Sequence, residues 1–276
     1  MKPLARFLPE FPAYATLGDK LAWWALRALC VGVLLFLLLP ILVIVPLSFS
    51  DSSFLVYPIS GWSLKWYENL FGSAEWVRAA RNSFIIAPAA TLVATSLGTL
   101  AAVGLARTSF PFKGLLMSLL IAPMVVPIVV VGVSTYLFFA PLGLADSYTA
   151  LIIVHAALGA PFVLTTVLAT LQGFNQNLVR ASLSLGESPL RTFFRITLPV
   201  IAPGVVSGAL FAFATSFDEV VVVLFLAGPD QLTLPRQMFN GIRENITPTI
   251  AAVATLLILF TTSLLLALEW LRGRRR

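Results

Sequence analysis

Two adjacent carboxylates, Asp218 and Glu219, interrupt the apolar sequence TSFDEVVVV. An ionisable side chain at the centre of a membrane span costs about 2.5–3.5 kcal/mol on insertion scales, so such residues mark pathways or internal pairs. Neighbouring residues of a helix point about 100° apart, so these two carboxylates are expected to face different surroundings. Two interpretations stay open: a site that attracts a cation, and a structural pair satisfied by Ser, Thr or an arginine of an outer loop.

A second polar stretch, RASLSLGESPLRTFFRITLP at positions 180–199, separates two long apolar runs. Its first part is compatible with a helix that ends at Gly186, and glycine just past a helix end favours the left-handed cap. Ser188 is placed as the N-cap of a second helix with Pro189 at its first position, where the missing N–H costs nothing. We therefore predict helix, glycine elbow, helix, with the second helix ending at Pro199.

The arginines of this stretch allow two interpretations of its surroundings. Arg191 and Arg195 are four residues apart on one helix face, and Phe193 and Phe194 give the segment an apolar side. One interpretation is an amphipathic helix that rests on anionic lipid with its arginines outward. The other is a rigid pair of short helices that transmits force to the next span, because a flexible loop would absorb the motion.

The composition identifies the environment of both features. The 276 residues are 59% hydrophobic and only 11% charged, with a mean hydropathy of +0.95, whereas soluble domains carry about 25% charged residues. An all-α integral membrane protein is predicted, because the apolar runs reach the roughly 20 residues that a spanning helix needs. The six predicted spans are Ala28–Phe49, Ser83–Ala106, Leu115–Phe139, Thr149–Leu171, Val200–Ala227 and Pro248–Trp270.

The basic residues predict the orientation, since lysine and arginine are concentrated on the cytoplasmic side. Five of the 18 fall in the segments assigned outside: Lys65, Arg78, Arg81, Arg236 and Arg243. Thirteen fall in those assigned inside: Lys2, Arg6, Lys20, Arg27, Arg107, Lys113, Arg180, Arg191, Arg195, Arg272, Arg274, Arg275 and Arg276. Both termini are therefore predicted to be cytoplasmic.

The spans divide the chain into an ordered series of segments. The predicted series is a cytoplasmic N-terminal segment at 1–27, a retained first span at 28–49, an aromatic-rich outer loop at 50–82, a core of five spans at 83–270, and a basic tail at 271–276. Within the core, an inner loop occupies 172–198, and an outer loop at 228–247 is long enough to meet a partner protein. Small residues suited to close helix packing include Gly98, Gly104, Gly204 and Gly208.

Two weaker features have structural and functional interpretations. Pro123 and Pro127, four apart in the third span, free backbone carbonyls and predict a bend that serves either a pathway or packing. His155 is the only histidine, and without a second metal ligand we interpret it as a hydrogen-bonded packing residue.

Several catalytic motifs are missing from the sequence. None of the 17 glycines is followed by lysine, so the chain has no phosphate-binding Gly-Lys-Ser/Thr loop and any nucleotide must be bound by another polypeptide. The single cysteine, Cys30, excludes an internal disulfide. No Gly-x-Ser-x-Gly sequence is present, which argues against a serine hydrolase.

The inner loop resembles the EAA loop of ABC importer permeases. The resemblance rests on Ala181-Ser182-x-x-Leu185-Gly186, on the Phe193/Phe194 pair, and on Leu198-Pro199 followed by Pro203-Gly204. It implies a type I permease fold of six spans whose cytoplasmic coupling helix sits in a cleft of a separate ATPase. The coupling residues it implies are Arg180, Ala181, Ser182, Leu183, Leu185, Gly186, Glu187 and Arg191. Arg180 departs from the family, which has glutamate there, and Ser182 replaces its second alanine.

Two further segments, Gly61–Ser83 and Phe217–Ile258, resemble spermidine/putrescine permeases, specifically the second permease subunit of such systems. The resemblance implies a bacterial inner-membrane subunit without enzymatic activity or cofactor of its own, which translocates a polyamine past Asp218 and Glu219. It also implies a second permease in a heterodimer, two ATPase subunits that bind ATP and Mg, and a periplasmic binding protein. Nucleic acid is not an expected partner.

Three alternatives remain beside a polyamine importer. The same architecture serves other small solutes, such as an amino-acid derivative, an organic acid or a metal chelate. A secondary transporter would use Asp218 and Glu219 as a proton or sodium site. An intramembrane enzyme is disfavoured by the missing catalytic residues.

Overall fold

The computed structural model describes residues 11–12, 14–244 and 246–273, and the described chain is built from helices. The sequence-based assignments at 1–10 and 274–276, which include Lys2, Arg6 and the last three arginines, lie outside the described residues. The helices are α1 Leu17–Leu47, α2 Lys65–Gly72, α3 Ala74–Arg107, α4 Lys113–Ile121, α5 Ile128–Phe139, α6 Tyr148–Gln172, α7 Asn177–Ser184, α8 Pro189–Thr192, α9 Leu198–Phe217, α10 Val221–Leu226, α11 Leu234–Glu244 and α12 Pro248–Gly273.

The chain forms two compact units, one made of residues up to 68 and from 247 onward, the other of residues 69–246. In the first unit α1 and α12 pack against each other. Helix α1 begins at Leu17 rather than at the predicted Ala28, because Thr16 and Asp19 form a reciprocal cap with N–H to oxygen distances of 2.9 and 3.2 Å. Its 31 residues make a helix of about 46 Å, longer than a hydrocarbon core of about 30 Å.

The loop predicted at 50–82 is shorter than expected. Helix α3 starts at Ala74, so the second spanning helix begins before the predicted Ser83. Two of the loop's aromatic side chains make contacts inside the protein. Trp76 is buried, and the indole N–H of Trp66 donates to the Ser50 carbonyl at 2.8 Å.

The bend predicted at Pro123 and Pro127 is confirmed, but it is sharp enough to break the single run predicted at Leu115–Phe139 into two helices. Helices α4 and α5 meet at an angle of 98° across a 3-10 turn at Ala122–Met124. Pro123 lies in that turn and Pro127 caps α5, and proline cannot continue the helical hydrogen bonds on its N-terminal side. Among the described residues, five helices are long and apolar enough to cross a membrane, or six when this bent pair counts as one broken span.

The second unit has a core in which α3, α6 and α9 contact one another. Gly98 and Gly208 pack as predicted: a Cβ on Gly98 would lie 2.8 Å from the Val163 Cβ, and one on Gly208 would lie 2.7 Å from the Val163 Cα. The prediction for Gly104 is wrong, because a Cβ there would meet no atom within 4 Å. Close packing is therefore concentrated where α6 meets its neighbours.

Candidate functional site

The inner loop folds as the predicted helix, glycine elbow and helix. Helix α7 ends at Ser184, and Gly186 has the left-handed conformation with φ of +85°. Ser188 then caps α8, its hydroxyl accepting from the Arg191 N–H at 3.4 Å, with Pro189 at the first helical position. We call residues 177–197 the inner knob.

The sequence predicted that the second helix of the inner knob ends at Pro199, but the helix continues through this residue. A π turn at Phe193–Thr197 joins α8 directly to α9, so helical backbone runs for 29 residues from Pro189 to Phe217. Proline removes one backbone donor and crowds the carbonyl four residues earlier, and the wider π turn accommodates both effects. The knob is therefore continuous with a core helix.

Side chains hold the two helices of the knob together. Glu187 accepts from the Arg195 guanidinium at 2.7 Å and lies 3.8 Å from that of Arg191. The hydroxyls of Ser182 and Thr192 form a hydrogen bond at 2.9 Å. Exposed ion pairs contribute little individually, but here several contacts converge on one elbow. Arg191 and Arg195, which one interpretation directed outward to lipid, therefore form ion pairs within the knob.

Several large apolar side chains of the knob are exposed beside its arginines. Leu185 is 86% exposed, and Leu183, Leu190 and Phe194 are also exposed. Arg180 is exposed and makes no salt bridge among the described residues. Exposed apolar side chains of this size are typical of a surface that binds another protein.

The carboxylate pair is not inside a helix, which corrects the sequence-based placement. Helix α9 ends at Phe217, and α10 begins at Val221. Asp218 is the C-cap of α9, its N–H donating to the Ala214 carbonyl at 3.0 Å. We call the intervening residues, 218–220, the carboxylate break. The expectation that the two carboxylates point about 100° apart on one helix therefore does not apply.

The two carboxylates have different contacts. Glu219 is half-buried, and its Oε1 accepts from the Val222 N–H at 2.9 Å, which satisfies a free donor at the start of α10. Asp218 is exposed. Neither forms an ion pair within the described chain, so the structural alternative of an outer-loop arginine finds no support. Asp218 is the more available of the two for a ligand.

His155 lies beside the carboxylate break and is buried. Its Nδ1 is 2.8 Å from the hydroxyl of Ser216, two residues before Asp218. The sequence-based interpretation of a hydrogen-bonded packing residue is confirmed. No group of three or more His, Cys, Asp or Glu side chains suited to a metal ion occurs among the described residues.

The outer loop at 228–247 is ordered by a residue that the sequence analysis missed. Asn82, fully buried in α3, donates from Nδ2 to the carbonyls of Asp230 and Leu232, each at 2.8 Å, and accepts from the Tyr148 hydroxyl. Arg78 pairs with Asp230 at 2.6 Å. Because Asn82 stands between Arg81 and Ser83, at the polar start of the apolar run, no local pattern singles it out.

A cavity of about 420 Å³ lies between the first turns of α3 and helix α11. Glu75, Arg78, Asn240 and Glu244 are among its lining residues. Nearby on α11, burial lowers the pKa of the Arg236 guanidinium, Arg243 lowers it further, and Glu244 opposes the shift. The outer loop therefore contributes to a concave surface lined by polar and charged side chains.

Comparison with known families identifies the chain's class. Residues 94–276 match the model of the family described as the binding-protein-dependent transport system inner membrane component. The chain belongs to this family. The match includes the inner knob, the carboxylate break and α12, so these features lie on a membrane component of a transport system and not on an enzyme.

Relatives extend the similarity towards the N-terminus. The chain is 35% identical over 243 residues, 85% of each chain, to the putrescine transport system permease protein PotI of Escherichia coli. It is 33% identical over 231 residues to the spermidine/putrescine transport system permease protein PotC of Haemophilus influenzae, covering 83% of this chain and 89% of the other.

A solved structure has the same fold. It comes from a bacterial ABC transporter involved in the import of the acidic polysaccharide alginate, and it matches with a TM-score of 0.74 over 95% of this chain and 99% of the other. The identity is 12%, so this likeness concerns the fold. The predicted all-α architecture of an ABC importer permease is confirmed, with the third span broken.

Proposed function

We propose that this chain is a permease subunit of an ATP-driven importer for polyamines such as putrescine and spermidine. The observation that carries the proposal is the extent of similarity to PotI, which spans 85% of both chains at 35% identity. Polyamines are flexible polycations, and the exposed carboxylate of Asp218 supplies the opposite charge. The importer takes its solute from a periplasmic binding protein, as membership of the family implies.

In this proposal the inner knob receives the force of the ATPase. Its exposed apolar side chains, led by Leu185, suit a cleft on a partner protein better than water. The continuous helix from Pro189 to Phe217 carries the motion of the knob into the core, because a helix transmits displacement along its axis. Arg180 places a positive charge where the resembled family has glutamate, so it has a different partner on the ATPase or none.

The assembly contains this chain, a different second permease and two ATPase subunits, which bind ATP and Mg. The chain itself then needs no cofactor. Both termini are cytoplasmic in this arrangement, as the distribution of lysine and arginine favours. The outer loops at 50–82 and 228–247 are then periplasmic and form the docking surface for the binding protein.

The transport cycle follows from these assignments. Closure of the ATPases on ATP moves the knob, the spans tilt and a passage between the two permeases opens outward. The docked binding protein releases its solute, which passes Asp218 and Glu219 on its way inward. The attraction between the polycation and these carboxylates strengthens as water is excluded from around them.

A ligand screen on the cognate binding protein tests the substrate. Thermal shifts are measured with putrescine, spermidine, amino-acid derivatives, organic acids and metal chelates. We expect stabilisation by the polyamines alone. Stabilisation by another class, without a polyamine response, would retain the permease architecture and refute the polyamine assignment.

A further inference from the structure

The α6–α9 contact is built from a regular row of small residues. Along α9 the row recurs every fourth residue at Gly204, Gly208, Ala212 and Ser216. A Cβ on Gly204 would lie 2.2 Å from the Thr170 hydroxyl, and one on Gly208 would lie 2.5 Å from that of Thr166. Small residues at this spacing let two helix backbones approach closely.

The row runs antiparallel along α6 and ends at His155. A Cβ on Gly159 would lie 2.9 Å from the Ala212 Cβ, and one turn further on His155 stands opposite Ser216. His155 and Ser216 are 1% and 4% exposed. The last contact of the row is therefore a hydrogen bond between side chains, whereas the earlier ones are packing contacts.

Among the described residues, the bond to Ser216 is the one hydrogen bond that the His155 ring makes, because its Nε2 is buried without a partner there. Breaking the single hydrogen bond of a buried imidazole is costly, because it leaves the ring without any hydrogen-bond partner away from water. Ser216 is in the last turn of α9, next to Phe217, where the helix ends. The hydrogen bond therefore holds Ser216, which together with Phe217 directly precedes the carboxylate break.

We propose that His155 is a positioning residue for the carboxylate break. Its bond to Ser216 fixes the last turn of α9 against α6, and this determines where the Asp218 and Glu219 carboxylates lie. The effect on transport rests on the proposed polyamine function, whereas the effect on the position of residue 218 does not. A packing role alone would require only a side chain of similar volume at 155.

The position of residue 218 is measured first, by the alkylation rate of Asp218→Cys with a membrane-impermeant maleimide in a Cys30→Ser background within the whole complex. We expect His155→Leu and Ser216→Ala each to change this rate by roughly threefold or more, since a neutral hydrogen bond is worth about that factor. His155→Asn, which keeps a hydrogen-bonding group, is expected to retain the rate. Thr165→Val is the control, because the Thr165 hydroxyl bonds to its own helix at Pro161.

Uptake kinetics are measured with Asp218 intact. His155→Leu and Ser216→Ala are expected to raise the KM for putrescine roughly fivefold with little change in kcat, and the double variant is expected to do no more than either one. An unchanged alkylation rate in both variants overturns the proposal, as does a double variant whose effects multiply. If the complex does not assemble with His155→Leu, the Ser216→Ala variant alone tests the proposal, because it removes the same hydrogen bond.

Failure of the positioning role and failure of the polyamine role are distinguishable. A changed alkylation rate, together with polyamine uptake that responds neither to these variants nor to Asp218→Asn with Glu219→Gln, supports positioning and refutes the polyamine site. An unchanged rate with uptake that still depends on Asp218 and Glu219 refutes positioning and supports the polyamine site.

Discussion

The two ends of α9 contrast in continuity. At the inner end Pro199 stands in the second helical position, yet the backbone stays helical from Pro189 because of the π turn at Phe193–Thr197. At the outer end neither glycine nor proline is present, yet the helix stops at Phe217. The contrast shows that local backbone hydrogen bonding, and not the presence of proline or glycine, determines whether the helix continues at each end. The π turn accommodates the proline, whereas Glu219 supplies an acceptor that lets a new helix start.

This contrast corresponds to two tasks in the proposed function. A continuous inner end carries displacement from the knob into the core. A broken outer end releases two carboxylates from a helix surface and presents them with different exposures. Substitutions at either end therefore have distinct expected effects: coupling is lost at the inner end, and solute affinity at the outer end.

The largest effect is expected for Gly186→Pro at the inner end. Proline fixes φ near −65°, whereas Gly186 has φ of +85° and its N–H donates to the Leu183 carbonyl. A conflict of about 3 kcal/mol or more predicts a loss of coupled transport of roughly a hundredfold. Uptake and ATP hydrolysis are compared in proteoliposomes. Gly173→Ala, in the same loop and in open space, is the control, and normal transport by Gly186→Pro would refute the coupling role.

The next effect is expected at the outer end, for Asp218→Asn combined with Glu219→Gln. Interactions with charged groups contribute about 1.5–3 kcal/mol, so polyamine uptake should fall by roughly 10- to 100-fold. Asp218→Asn alone is expected to account for most of the loss, because Glu219 is partly engaged with the backbone of Val222. Uptake of labelled putrescine is measured, with Asp146→Asn as the matched control, because Asp146 is an exposed carboxylate outside the proposed docking loops. Unchanged uptake in the double variant would contradict the cation site.

A smaller effect is expected between the two ends, for Gly208→Ala. The added Cβ would lie 2.7 Å from the Val163 Cα, and overpacking of this kind costs about 1–3 kcal/mol. The thermal stability of the detergent-solubilised complex should fall, whereas Gly104→Ala should leave it unchanged because that site is open. Equal thermal stability of the two variants would show that α6 and α9 can move apart to accept the extra methyl group without loss of stability.

The smallest effect is expected for Glu187→Gln in the knob. Exposed ion pairs of this kind contribute at most about 1 kcal/mol, so uptake should change by less than about fivefold. The measurement is the initial rate of uptake, with Arg191→Gln as the partner variant. A loss as large as that of Gly186→Pro would mean that these charges, and not the glycine elbow, hold the knob in shape.

The sequence predicted the features that local chemistry determines. The elbow at Gly186 and the cap at Ser188 follow from residues whose preferences act over one turn, and both are present. The fold class follows from composition and the length of the apolar runs, and it is confirmed by the family match.

Where the prediction was wrong or missed a residue, a competing local contact or a distant contact decided the structure. The continuation through Pro199 depends on a π turn, and the start of α1 on a cap formed by Thr16 and Asp19. The stop at Phe217 has no glycine or proline signal, and three of the four valines from Val220 lie in the next helix, α10. The role of Asn82 depends on carbonyls about 150 residues later in the chain, which no local pattern reveals.

ATP-dependent uptake in proteoliposomes tests the central claim most directly. The vesicles contain this chain, its partner permease, the ATPase and the binding protein, and labelled putrescine is supplied outside. We expect accumulation that requires ATP, the binding protein and an intact glycine elbow at Gly186. Accumulation driven by an ion gradient in vesicles that lack the ATPase would contradict the account and identify a secondary transporter.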